Sequence, residues 1–139
     1  MSEKSNIKVF NQSGVIPYIY KKDKLKILLI TSLTKKNWII PKGIVEEEMS
    51  AQESALKEAF EEAGISGQIE HVPIGKYSYE KWGGLCKVKV YPCLVEKVYD
   101  EWPEQNIRQR SWYSTQSALD NIQNIDLKKI VEKFIIEKS

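Results

Sequence analysis

An α/β fold, with a sheet covered by helices on two faces, is what this 139-residue sequence predicts, and three observations carry that expectation. Runs rich in β-branched and aromatic residues stand before and after one sharply bounded helix. A second helical pattern closes the chain, with Leu127, Ile130, Val131, Phe134 and Ile135 at i, i+3, i+4, i+7 and i+8. The length suits one domain, assigned to residues 1–139, able to bury a core without disulfides or a structural metal.

In chain order, residues 14–20 (GVIPYIY) and 26–32 (KILLITS) read as two strands joined by a polar turn in KKDKL. Pro17 cannot donate to a ladder, so it places the first strand at an edge or a bulge. Trp38-Ile39-Ile40 is a short third run that ends at Pro41. Ser50 followed three residues later by Glu53 is a capping box, so the helix begins near Ala51. Gly64 stops it, because glycine enters the left-handed region without a Cβ penalty.

Residues 67–79, interrupted by Pro73 and Gly75, give one bent strand or two short ones, and Trp82-Gly83-Gly84 is a turn. Residues 85–98 (LCKVKVYPCLVEKV) form a long strand, with Cys86, Val88 and Val90 on one face and Lys87, Lys89 and Tyr91 on the other. Residues 107–113 (IRQRSWY) are a further strand, and Ser114 caps a short helix through Asn121. The closing helix packs its apolar stripe on the sheet.

Composition narrows the function. A hydrophobic fraction of 42% with 29% charged residues is that of a globular protein, not a disordered one. A net charge of +2 argues against a nucleic-acid partner while leaving room for a basic mouth at a phosphate site. No apolar run approaches the ~20 residues of a membrane helix. The opening MSEKSNIKVF lacks the apolar core of a signal peptide, so no membrane partner and a cytoplasmic location are expected. Cys86 and Cys93, seven apart on one strand, are too distant to bridge and read as free thiols. His71 alone gives a zinc site or a Ser-His-Asp triad little to work with, and it reads as structural or surface.

Chemistry concentrates in residues 43–65 (GIVEEEMSAQESALKEAFEEAGI). Glu58, Glu61 and Glu62 fall at i, i+3 and i+4, which puts three carboxylates on one narrow helical strip beside the apolar arc of Ala55, Leu56, Ala59, Phe60 and Ala63. With no Lys or Arg among them they repel by roughly 0.2–0.5 kcal/mol per pair. Either the strip is a solvated acidic face or a cation offsets it. Carboxylate oxygens suit Mg²⁺, with Mn²⁺ as the alternative, and Mg²⁺ commonly shares its sphere with water and substrate phosphate.

The surroundings of those acids favour the cation. Pro41-Lys42-Gly43 lies one acidic loop upstream, and Gly64-Ile65 follows at once. The stretch resembles the Nudix hydrolase box, G-x5-E-x7-R-E-U-x-E-E-x-G-U with U apolar, which Gly43, Glu58, Ala59, Glu61, Glu62, Gly64 and Ile65 fit in register. Met49 stands where the box has its first glutamate and Lys57 where it has arginine. In the family that pair holds the loop against the helix, and Glu48, one residue early, is the candidate replacement for the acid. The resemblance spans nearly the whole chain and implies the Nudix fold, a mixed β-sheet sandwiched between helices (α/β/α).

It also implies a Mg²⁺-dependent pyrophosphohydrolase that cleaves a phosphoanhydride bond in a phosphorylated small-molecule substrate, a nucleoside or inositol polyphosphate. By the same resemblance Glu61 and Glu62 are metal ligands, Glu58 is a further ligand or an acid/base group, and the Gly43 carbonyl adds a ligand. The general base stays open among the box glutamates, Glu104, and the loop acids Glu46, Glu47 and Glu48. Lys42, Arg108 and Arg110, the arginines two apart on one strand face, are candidates to meet phosphate. Trp38, Tyr77, Tyr79 and above all Trp82 are candidates to stack on a base, each with a core role as its alternative.

The segment from Trp102 to Asn121, with Arg-x-Arg-x-Trp and then a short helix, and the EEAGISG segment are similar to the diphosphoinositol polyphosphate phosphohydrolase branch, and Pro41-Lys42-Gly43 to diadenosine polyphosphate hydrolases. Two other readings fit the same residues. One is a ligand-binding or regulatory protein of this fold with weak catalysis, suggested by Met49 and Lys57. The other is an RNA 5′-pyrophosphohydrolase.

Overall fold

Eight strands pair into one sheet in the order β3-β2-β1-β7-β5, with β4 added to β1, β6 to β7 and β8 to β2. The computed structural model describes residues 7–34 and 36–139; residues 1–6, part of the opening segment inspected for a signal peptide, lie outside the described residues. The strands are β1 (Val9–Lys21), β2 (Lys24–Thr31), β3 (Trp38–Ile39), β4 (Lys42–Ile44), β5 (Ile65–Ile69), β6 (Gly75–Lys81), β7 (Gly84–Val98) and β8 (Arg110–Ser114). Helix α1 (Ala51–Glu58) continues into a π-helical turn (Ala59–Ala63), and α2 (Thr115–Asn121) and α3 (Ile125–Lys138) close the chain. β1 and β7 run parallel while the other pairs are antiparallel, so the sheet is mixed. Among the described residues no helix is long and apolar enough to cross a membrane.

Pro17 is not on an edge strand, because β1 pairs with β7 on one side and with β4 and then β2 on the other. The reason it is tolerated is local. Gly14 is the last β1 residue opposite β4 and Tyr18 the first opposite β2. The Val15 N–H donates to Pro41 O on that side at 3.1 Å, and strand alternation turns the missing N–H of Pro17 the same way, into the gap between partners. The segment from 67 to 79 resolves into two short strands, β5 and β6. The last strand is shorter than expected: it starts at Arg110, leaving Arg108 in the preceding turn.

Alternation along β2 divides the core. Ile27 and Leu29 join Phe134, Leu127 and Val131 under the closing helices, while Leu28 and Ile30 join Ala55, Ala59 and Ala63 under the acidic helix. The chain therefore reads as an uninterrupted apolar run there, as a strand covered on both faces must. In β7 the lysine face stays exposed only as far as Lys89. Tyr91, on the same face by parity, is buried, because Cys93 and Val95 on that face lie under the acidic helix. Both cysteines are free and buried, and His71 is exposed.

Candidate active site

The loop that leads into the helix is fixed before any side chain reaches outward. β4 lies on β1 with Ser13 opposite Gly43, and the buried Ser13 hydroxyl donates to Ala51 O at 2.7 Å. Ser50 and Glu53 form the reciprocal cap expected of them, and Gly64 takes φ 67° at the far end. Gly43 has no room for a side chain: a Cβ there would lie 2.3 Å from Glu58 Cδ. The Glu58 carboxyl thus rests directly on the Gly43 backbone.

The three acids do not share one strip. The helix takes π geometry after Glu58, and Glu61 and Glu62, adjacent in the chain, point to different sides of it. Glu62 turns inward and is 7% exposed; Oε1 accepts from the Lys42 N–H at 3.1 Å and Oε2 faces Arg108 Nη2 at 3.2 Å. Glu61 turns out to Lys57 at 2.8 Å, and the same ammonium reaches Glu46 at 3.0 Å. Glu46 is also held through its backbone, whose N–H donates to Ser54 Oγ at 3.0 Å. The loop acid that meets the helix is therefore Glu46, not Glu48, which is exposed and in no ion pair among the described residues. The Met49 backbone N–H donates to Glu46 O at 3.0 Å.

Burial raises the Glu62 carboxyl to about 7, against the opposing pull of Arg108. Glu58 is also raised, first by burial and then by the charge of Glu61. Lys42 is pushed down by burial, with Glu62 opposing, and its Nζ sits 4.6 Å from the centroid of the Tyr79 ring. Tyr79 donates to Gln12 Oε1 at 2.8 Å; Gln12 is buried in β1, in the polar run Asn11-Gln12-Ser13 that was the sequence signal for it.

Arg108 and Arg110 part company. Arg108 lies between two acids, with Nε at 2.6 Å from Glu104 Oε1 and Nη2 on Glu62, while Nη1 donates to Thr31 O. Arg110 does not face the cavity. It donates to the carbonyls of Ala63, Gly64 and Tyr99 and stacks 3.8 Å over the Trp102 ring, because the helix end it meets presents carbonyl oxygens. Trp82 stands 53% exposed at a two-residue hairpin turn with φ 57°, edge-on to Phe10. A cavity of about 910 Å³ joins these groups, lined by Gly43, Glu58, Glu62, Lys42, Arg108 and Glu104 at one end and by Trp38, Tyr77, Tyr79 and Trp82 elsewhere.

The donors that a metal would meet here are all oxygens, from the Glu58, Glu61 and Glu62 carboxylates and the Gly43 carbonyl, which is the chemistry of a hard divalent cation. Two of those carboxyls are desolvated and destabilised in their charged forms, which a cation would relieve. Among the described residues, no three such side chains already converge on one point. Lys57 and Arg108 are what hold Glu61 and Glu62 apart.

A family model described as NUDIX domain matches residues 11–134. Nudix hydrolase 21, chloroplastic, of Arabidopsis thaliana is 37% identical over 90% of this chain and 66% of its own length. Diphosphoinositol polyphosphate phosphohydrolase 2 of Rattus norvegicus is 29% identical over 70% of this chain and 54% of its own. The chain thus spans 66% and 54% of the lengths of these two curated relatives. In fold it is similar to a C. elegans Ap4A hydrolase crystallised as a binary complex, with a TM-score of 0.80 at 21% identity, covering 91% of this chain and 96% of that one. A mixed sheet between helices, a glycine loop seated against Glu58 and a match over residues 11–134 lead to one conclusion: the chain belongs to the NUDIX family.

Proposed function

We propose that this protein is a Mg²⁺-dependent pyrophosphohydrolase acting on a nucleoside polyphosphate. The observation that carries the reading is the buried Glu62 carboxyl beside the half-buried Glu58 carboxyl, the latter seated on Gly43, at one end of a cavity whose other walls carry four aromatic rings. Glu58, Glu61 and Glu62 with the Gly43 carbonyl would hold the cation. When bound, it would supply positive charge to the phosphate oxygens.

Water attacks one phosphorus, the bridging P–O bond breaks, and the bridging oxygen leaves with its electron pair on the departing phosphate. Glu58, held above the usual carboxylate range, takes the proton of that water on a carboxylate oxygen. Lys42 offers its ammonium to the phosphate chain, and Arg108 holds Glu62 and Glu104 in place. Tyr79 and Trp82 present rings to a base.

Between the two substrate classes that the family resemblance implies, the lining favours the nucleotide. An inositol polyphosphate carries anionic groups all around its ring and needs cations on every side. Here the cavity cations are Lys42, Lys81 and Arg108, against Glu46, Glu58, Glu62, Glu80 and Glu104. The relatives' names span both classes, Ap4A for the C. elegans protein and diphosphoinositol polyphosphate for the rat one.

A panel of dinucleoside polyphosphates, nucleoside triphosphates and a diphosphoinositol polyphosphate, run with Mg²⁺ and with Mn²⁺, tests this. Turnover is expected for a nucleotide, about tenfold or more above the inositol compound in kcat/KM, and lost in Glu61→Gln and Glu62→Gln. Tight binding with no turnover would replace the enzyme with a ligand-binding module. Preference for the inositol compound would reverse the substrate assignment.

A further inference from the structure

The last turn of the acidic helix, which carries Glu61 and Glu62, is held through its backbone by a distant segment. A helix end leaves carbonyls without intrahelical partners. Here four in succession are answered from residues 99–110. Glu61 O accepts from the Glu104 N–H at 3.0 Å, Glu62 O from Trp102 Nε1 at 3.2 Å, and Ala63 O from Arg110 Nη1 at 2.9 Å. Gly64 O accepts from the Tyr99 N–H at 2.8 Å, with Arg110 Nη1 at 3.3 Å.

Three further contacts lock the arrangement. The guanidinium lies 3.8 Å over the Trp102 ring. The Tyr99 ring meets Phe60 of the same turn edge-on at 5.1 Å. A Cβ on Gly64 would come within 2.6 Å of Arg110 Nη1 and 2.8 Å of the indole, so glycine is needed there for close approach as well as for its positive φ. A tighter α-helical turn would shift these carbonyls relative to the donors that meet them.

We propose that Trp102 and Arg110 are positioning residues for the metal-binding acids: by bonding the carbonyls of Glu62, Ala63 and Gly64 they fix the backbone of the turn from which Glu61 and Glu62 project. The inference rests on the reading that these acids hold a divalent cation. It assigns to Arg110 a role in orienting ligands instead of contacting substrate. Nothing in Trp102 or Arg110 touches the reacting atoms; they act through the backbone of the turn.

Mn²⁺ serves as the probe, with free ion counted by electron paramagnetic resonance as metal-free protein is titrated, alongside melting of the same samples in chelator. Trp102→Phe keeps a ring under the guanidinium and removes the indole donor, while Arg110→Lys keeps the charge and removes the fork. Each is expected to weaken Mn²⁺ binding by about tenfold or more, as loss of groups that orient ligands does, and to lower kcat more than it raises KM. Phe134→Leu, a change in the core on the other face of the sheet, supplies a reference with lowered melting temperature and unaltered acids. Affinity equal to wild type in both clamp variants, or a loss no greater than that of Phe134→Leu at equal melting loss, overturns the proposal. Should Trp102→Phe fail to fold, Arg110→Lys is judged on the same readings. Wild-type protein that takes up no Mn²⁺ would overturn the metal reading first and this one with it.

Discussion

Glu62 shows how much one side chain can be asked to do. It is buried, it accepts from the Lys42 N–H, it faces Arg108, and burial still wins, lifting its carboxyl to about 7 from an ordinary 4.5. A carboxyl raised in the fold holds its proton more tightly there than in the unfolded chain. Its ionised form therefore costs stability above that pKa, and the cost fades as pH falls toward the unfolded value. For the metal-free protein this is worth roughly 3 kcal/mol at most. Glu62→Gln is uncharged at every pH, so in chelator its melting temperature should exceed that of wild type at pH 7.5 and approach it near pH 5. A gap that stays constant across that range would show that Arg108 offsets the burial completely. The acids themselves were legible in the sequence because the box fixes their spacing. Their partners were not: Arg108 reaches Glu62 from 46 positions away in the chain, and nothing local to either residue announces the other.

Elements were readable where their signals are local. Ser50 with Glu53, and Gly64 at φ 67°, bound the acidic helix as their residue types require. The turn at Lys22 and Asp23, both with positive φ, falls within the expected KKDKL. What could not be read is the switch from α to π geometry after Glu58, since no residue between Ala59 and Ala63 favours the wider turn and its carbonyl partners come from residues 99–110. The same limit moved the start of β8 from 107 to Arg110, where pairing with Ile30 begins. At this scale the loop and helix behave as one device, and Gly43→Ala probes their junction. The added Cβ would fall 2.3 Å from Glu58 Cδ, forcing the carboxyl off the β4 backbone. Turnover should drop on the order of 100-fold, as misplacement of a reacting group by about an ångström can do, while circular dichroism stays native. Wild-type rates in that variant would remove Glu58 from the chemistry.

Across the whole molecule, the class of fold followed from the order of apolar runs and the closing helix, because a sheet that must cover both faces leaves few arrangements. The placement of β1 did not, because Pro17 argues for an edge or a bulge and the gap between β4 and β2 exists only once three strands have met. β7, parallel to β1 and antiparallel to β5 and β6, ties the sheet together and carries both cysteines on its inner faces. Burial pushes the Cys93 thiol up to about 12, so almost none of it is thiolate while the sheet is closed. The chain consequently contains its own stopwatch for breathing. A chromogenic disulfide reagent should modify neither sulfur in native protein, and labelling in mild urea should proceed only as fast as the molecule opens; release of colour within seconds in plain buffer would mean that the central strand is reachable without unfolding.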